Sequence, residues 1–208
     1  MLAVILVVLI LMYQRLGPPK PPTPPEPKNA AELSITDADV GDSIVVHGAG
    51  DSFADLTFTV DRKDRYEANG ESWFEVSGRY RGRRVFVEVA NDDEIEVLVN
   101  LANERLTLSD LSLREEDLVR FDETHDRNAG FSFRNSQWHF DWSGEIGYFK
   151  DGGGAGEGYY NWDFAEQGGN RVISVEKWEG DPFEVILSRR VNSDDVQVFR
   201  SSTQGAFS

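Results

Sequence analysis

The chain has 208 residues, with 21 Lys and Arg against 37 Asp and Glu, and no cysteine. The lack of thiols excludes disulfide staples, thiolate metal sites and cysteine nucleophiles. A formal charge of −16 argues against nucleic-acid binding, because affinity for a phosphate backbone rests on clustered Lys and Arg.

From Leu2 to Tyr13 the chain is an unbroken apolar run of 12 residues. A bilayer span wants about 20 residues; Leu16 and Gly17 extend the run, and Arg15 is placed to snorkel to the interface. A cleaved signal peptide needs a basic n-region and a small-residue cleavage site, and neither is present. Residues 1–17 are therefore expected to form a membrane anchor helix. Seven of the eight prolines lie between Pro18 and Pro27. Proline fixes φ and removes donors, so residues 18–35 read as an extended, semi-rigid spacer. Arg15, Lys20 and Lys28 all follow the apolar run and no cation precedes it. By the positive-inside rule the expected protein is single-pass, with its body in the cytoplasm.

Residues 36–200 read as an all-β, mainly antiparallel domain, followed by a tail over 201–208. Short β-branched or aromatic runs bounded by Gly, Asp and Asn recur about every 8–12 residues, the spacing of a sandwich or barrel-like body. The runs are expected over 43–47, 56–60, 73–76, 84–89 and 95–99. After a break they resume over 137–142, 146–149, 159–164, 172–175, 183–187 and 196–199. Only Ser109 to Arg120 looks helical, with a capping-box match from Ser112 to Glu115.

Shifted by 88 residues, the chain overlies itself: Val87 and Glu88 meet Val175 and Glu176, Asp93 meets Asp181, and 96–99 meets 184–187. One residue out of register, Trp73 meets Trp162. Two similar β-units, 36–100 and 131–200, are expected from this, with both tryptophans as equivalent core residues.

Val40-Gly-Asp42, Trp73-Phe-Glu75, the run from Tyr159 to Asp163, the run from Val175 to Trp178 and the closing segment from Glu184 to Val196 together resemble the bacterial family called domain of unknown function 4178. The resemblance covers roughly 36–200. This sequence departs from it in having Phe86 where a second Trp is usual, and in an irregular connection from Leu101 to Asn135. The resemblance implies a β-rich domain without an assigned activity, among relatives encoded near envelope-stress and membrane-remodelling proteins or polyamine enzymes.

Chemistry-bearing residues are few. His47, His125 and His139 are the only histidines, and no spacing brings three or four ligands together, so no metal site is expected. On a strand, His139 and Asp141 share one face and Trp138, Phe140 and Trp142 the other. No G-x-S-x-G elbow marks a nucleophile. The glycine-rich segment from Asp151 to Gly158 lacks the Lys-Ser or Lys-Thr of a phosphate loop and reads as a hairpin connection. Asp92, Asp93 and Glu94 form an acidic turn, and Tyr159 and Tyr160 an aromatic pair. These five are the candidate interaction surface, with no catalytic, cofactor or metal residue assigned. The expected function is a membrane-tethered, non-catalytic β module that engages a protein partner at the cytoplasmic membrane face, in an envelope-stress or membrane-remodelling setting. The alternative is a domain that binds a small cation, either a polyamine or a divalent ion, through acidic turns flanked by aromatic residues.

Overall fold

The computed structural model describes residues 32–91, 94–102 and 104–200. The expected anchor, most of the spacer, Asp92, Asp93 and the tail lie outside the described residues. Among the described residues no helix is long and apolar enough to cross a membrane.

The body is all-β and antiparallel. Its strands are β1 (Glu32–Leu33), β2 (Ser43–Val46), β3 (Leu56–Ala68), β4 (Glu71–Tyr80), β5 (Arg83–Asn91) and β6 (Ile95–Asn100). After the helix α1 (Glu115–Thr124) come β7 (Gly130–Phe133), β8 (Ser136–Phe149), β9 (Glu157–Glu166), β10 (Arg171–Trp178), β11 (Glu184–Val191) and β12 (Val196–Phe199). The strand order is β1-β12-β2-β3-β4-β5-β6-β11-β10-β9-β8-β7, and β3 also pairs with β8. The ladder therefore returns on itself. Strands β3 to β6 form one meander and β8 to β11 another, joined by the pairs β6–β11 and β3–β8 into a ring.

The two faces of this ring differ in chemistry. Alternate residues pack outward into two separate apolar clusters, as the period-two geometry of a strand requires. On the first meander Phe58, Val76, Val87 and Val97 lie under β2, β12 and the 3₁₀ turn at Ile35. On the second, Trp138, Phe140, Phe164, Ile173 and Val175 lie against Leu118 and Phe121 of α1 and against Leu111 and Leu113. Their neighbours in sequence face inward, and many of those are polar.

Both long strands change face at a bulge. The extra residue is Asp61 between Val60 and Arg62 on β3, and Asp141 between Phe140 and Trp142 on β8. A bulge inserts one unpaired residue and shifts the alternation by one. Upstream, Leu56, Phe58 and Val60 point outward into the apolar cluster; downstream, Asp64 and Tyr66 point inward. This corrects the expectation that Trp138, Phe140 and Trp142 share a face. Trp138 and Phe140 are in the outer cluster, whereas Trp142 stands opposite Asp163 and its ring covers Gly144, where a Cβ would come within 2.7 Å of it.

The helix also starts later than the capping-box match implies. Ser112 adopts a left-handed φ of 58° in a turn, and the Asp117 carboxylate caps the helix by accepting the Arg114 N–H at 2.9 Å. Trp73 and Trp162 are not equivalent either. In the observed register Val76, not Trp73, pairs with Val87, while Trp162 pairs with Val175.

Candidate functional site

The inward face of the ring carries the unusual chemistry. Asp64 lies opposite Glu75, and Glu75 opposite Glu88, so three carboxylates stand abreast on β3, β4 and β5. Like charges directly opposed across strands are destabilising, so this row is not what a purely structural sheet selects. From the other meander, Glu176 on β10 and Asp163 on β9 act electrostatically on the row across the ring.

Each acid has a different degree of support. Asp64 is fully buried and well held: the Arg62 guanidinium is 2.7 Å away, and the carboxylate accepts the Tyr148 hydroxyl at 3.2 Å and the Asp151 N–H at 2.9 Å. It ties the 150–152 turn to β3. Asp163 accepts the Ser174 hydroxyl at 2.6 Å, and Glu176 accepts the Trp178 indole N–H at 2.9 Å. Among the described residues the Glu75 carboxylate accepts a hydrogen bond only from the Tyr66 hydroxyl, at 3.4 Å. Among the described residues no hydrogen bond or ion pair holds the half-buried Glu88 carboxylate.

Enclosure raises the cost of charge, and the like-charged neighbours add to it. Burial, then Asp64 and Glu176, push the Glu75 carboxyl up to about 8. Burial, with Glu184 and Asp163 nearby, pushes Glu176 to about 7. Burial and then Glu75 drive Glu88 well above the ordinary range. Asp163 is raised by burial, opposed in part by its Ser174 and Asn161 hydrogen bonds.

The nearby guanidinium groups have other acids as direct partners, although Arg62 still acts on Glu75 and Arg190 on Asp163. Arg62 serves Asp64; Arg84 reaches Asp61 and Ser77, each at 2.8 Å; Arg190 pairs with Glu96. The interior therefore holds more carboxylates than guanidinium groups can balance.

Aromatic rings wall the acids at the β3–β8 seam. Tyr66 stacks on Trp73 at 5.9 Å and meets Tyr148 at 5.4 Å, and Trp178 packs on Tyr148 at 5.6 Å and on Tyr159 at 4.3 Å. The Trp73 indole N–H is buried and has no acceptor among the described residues. Two clefts adjoin this wall from its edge, one of about 420 Å³ lined by Lys63, Asp64, Arg65 and Trp73 and one of about 610 Å³ lined by Tyr159, Lys177 and Trp178, and neither is lined by Glu75, Glu88, Asp163 or Glu176. Carboxylates beside π faces are the two groups that hold an organic cation. Among the described residues no three His, Asp or Glu side chains are placed to hold a metal ion.

The candidate surface residues separate. Glu94 is exposed on the β5–β6 turn. Tyr159 and Tyr160 point to opposite faces, as neighbours on a strand must. Tyr159 belongs to the inner wall, while Tyr160 packs on Trp162 at 4.6 Å and donates to Asp122, which also accepts the Ser143 hydroxyl at 2.6 Å. His47 lies 3.3 Å from Asp55, and His125 is the left-handed cap of α1. Glu75, Glu88 and Asp163 escape a reading based on charge runs because each stands singly between apolar or aromatic neighbours, whereas Asp64 lies inside the mixed-charge stretch from Asp61 to Arg65 and Glu176 between Val175 and Lys177. The detectable signal is alternation: valine and acid take turns at Val87-Glu88 and Val175-Glu176.

The segments from Trp73 to Glu75, Tyr159 to Asp163 and Val175 to Trp178 supply Trp73, Glu75, Tyr159, Asn161, Asp163, Glu176 and Trp178 to this interior. No curated protein and no solved structure matches the chain. A family profile does, over residues 52–193, a span that includes the whole ring, and the chain belongs to that family, the domain of unknown function DUF4178.

Proposed function

We propose that this protein is a non-catalytic binding module whose ring interior takes up a small organic cation, with an aliphatic polyamine the best fit. The observation that carries this reading is the unbalanced carboxylate group of Glu75, Glu88, Asp163 and Glu176 beside stacked Tyr and Trp rings. An ammonium group over such rings gains about 0.5–2 kcal/mol from each cation–π contact, and more where water is excluded. A linear polyamine presents several ammonium groups along one chain and so neutralises several acids at once. A compact metal ion needs three or more converging ligands, which favours the organic cation. In this reading the two meanders are a duplicated unit. Glu88 and Glu176, equivalent in the 88-residue repeat, then become the paired contacts of the two halves. The apolar run at residues 2–13 and the Pro-rich spacer support a tether that holds the module at the cytoplasmic face of a membrane.

A second reading, protein engagement at the membrane, is favoured by Phe53. It is 84% exposed, with φ 61° on a turn whose Asp51 is gripped by Arg83 at 2.6 and 2.8 Å. Calorimetry of the whole chain with spermidine separates the two. The cation reading expects saturable one-site binding that weakens at least tenfold in Glu88→Gln and is unchanged in Phe53→Ser. Absence of saturable binding at neutral and mildly alkaline pH would remove it.

A further inference from the structure

We infer that the protein associates head to tail with further copies of itself, the Phe53 turn of one copy seating in the cleft at Gly147, Gly158 and Trp178 of the next. This rests on the reading of Phe53 as a protein contact and names that protein; it does not depend on cation uptake. Phe53 is the most exposed large apolar side chain among the described residues. It and Ser52 hold left-handed φ values of 61° and 55°, which a bulky L residue seldom adopts. The turn is nonetheless fixed. Gly50 N–H donates to the Ala54 carbonyl at 2.7 Å, Gly48 N–H to the Asp55 carboxylate at 3.1 Å, and Arg189 to the Gly48 carbonyl at 3.1 Å. A Cβ at Gly50 would come 2.6 Å from the Tyr80 hydroxyl, so the turn closes directly onto β4. A ring displayed on a rigid turn has already lost the freedom that binding would otherwise cost. On one flank the β4–β5 turn brings Arg79, Arg81, Arg83 and Arg84, whose acidic partners are Asp51 and Asp61; Arg79 has no ion-pair partner among the described residues. On the other flank Asp55 faces His47, whose backbone N–H reaches the Asp195 carbonyl, so the positive charge is confined to the arginine side.

The receiving cleft, of about 610 Å³, is built from β8, β9 and the end of β10. Gly147 and Gly158 are direct partners across β8 and β9, and a Cβ on Gly158 would meet nothing within 4 Å, so the sheet shows bare backbone there. Tyr160 and Trp178 supply aromatic walls, and the exposed Glu145 and Glu179 add negative charge. The lining cation Lys177 donates to the Trp178 and Asp181 carbonyls. A glycine floor with aromatic walls and acids is the complement of an apolar ring with an arginine flank. The two features stand at opposite ends of β3. Phe53 comes just before its first residue, Leu56, whereas Glu67 near its last residue pairs with Gly147. At about 3.3 Å per residue they are about 35 Å apart, so one copy cannot fill its own cleft. A contact between two different patches is heterologous and propagates instead of closing at a dimer. Copies held on one membrane by the apolar run at residues 2–13 would meet at a raised effective concentration, so a contact of this small size suffices.

Sedimentation of the whole chain tests this. The mean mass of the wild-type protein should climb beyond that of a dimer as concentration rises, and association should weaken as salt goes from about 0.05 to about 0.5 M. Phe53→Ser removes the ring and Gly158→Leu fills the cleft. Phe53 is solvent-exposed and Gly158 has open space above it, so neither change disturbs the fold. Each variant alone should associate about tenfold more weakly than wild type. Mixed in equal amounts they should pair with wild-type affinity, because one keeps its cleft and the other its ring, and growth should stop at a dimer containing one of each. Association through residues 2–13 would survive in both variants, so wild-type behaviour of either one alone would overturn the proposal. A mixture that fails to pair would overturn it too. A wild-type chain that stays monomeric at about 0.1 mM would also overturn it, while leaving Phe53 as a contact for a different protein.

Discussion

Replacing Trp162 by alanine should lower stability by about 3–5 kcal/mol, while the same change at Trp73 should cost far less and instead abolish cation binding. The two residues are alike in sequence context and opposite in environment. Trp162 is buried in the outward aromatic cluster, its ring against Tyr160 at 4.6 Å and Phe183 at 6.2 Å. Truncation there removes a large apolar area and leaves a cavity that the surrounding sheet cannot fill. Trp73 is half-buried on the inward wall, stacked on Tyr66, with its indole N–H unpaired among the described residues. Its loss opens space beside carboxylates that water can occupy. Urea unfolding of both variants, with calorimetry of the folded Trp73→Ala protein, reads the two effects separately. Equal stability losses at both positions would mean that Trp73 is a core residue and the inward wall is not a site.

Stability of the ligand-free protein should fall as pH rises from about 5 to 8. The folded-state carboxyls of Glu75 and Glu176 lie near 8 and 7, above the ordinary value of 4.5. Between 4.5 and 8 the native state therefore binds more protons than the unfolded chain, and stability decreases with pH in that window. The slope flattens below about 5, where both states are protonated, and above about 8, where both are ionised. After allowance for partial water access, the loss for the pair is on the order of 2–4 kcal/mol. Glu75→Gln should remove much of the slope and stabilise the protein at pH 8 while changing little at pH 5. Chemical denaturation at half-unit pH intervals measures this directly. A stability that rises through the same window would mean that these acids are paired in the native state.

The apolar half of this fold was legible because valine, phenylalanine and isoleucine alternate along β2, β5, β6, β10 and β12. The all-β class follows from that alternation. The polar half was hidden by the same rule. From Asp61 to Ala68, β3 carries seven charged or polar residues before its closing alanine, counting Tyr66, and no hydrophobic period marks it as a strand. It is a strand because one of its faces lines an acidic interior and the other lies at the edge of the apolar cluster. The bulges at Asp61 and Asp141 compound the difficulty: each reverses which face a side chain takes, and a strict two-residue period carried through Trp142 assigns it wrongly. Strand β7 was missed for a different reason. Gly130 begins it, and a Cβ there would lie 1.8 Å from the Trp138 carbonyl oxygen, a close approach that reads in sequence as a loop glycine. The site followed the fold. The turn ending at Glu94 is a charge run, whereas Glu75, Glu88 and Asp163 stand singly along strands, and the acids of the two meanders face one another only because the ladder closes through β3 and β8.

The central claim is that the ring interior, rather than the outer surface, receives a cation. The most direct measurement is the indole N–H spectrum of the five tryptophans in the whole chain during titration with spermidine at pH 7.5. Trp73 and Trp178 line the acidic wall and should shift progressively to saturation, with Trp142 following because it stands opposite Asp163. Trp138 and Trp162 belong to the outward cluster and should hold still. Shifts confined to Trp138 and Trp162, or no saturable shift at any indole, would contradict an interior site.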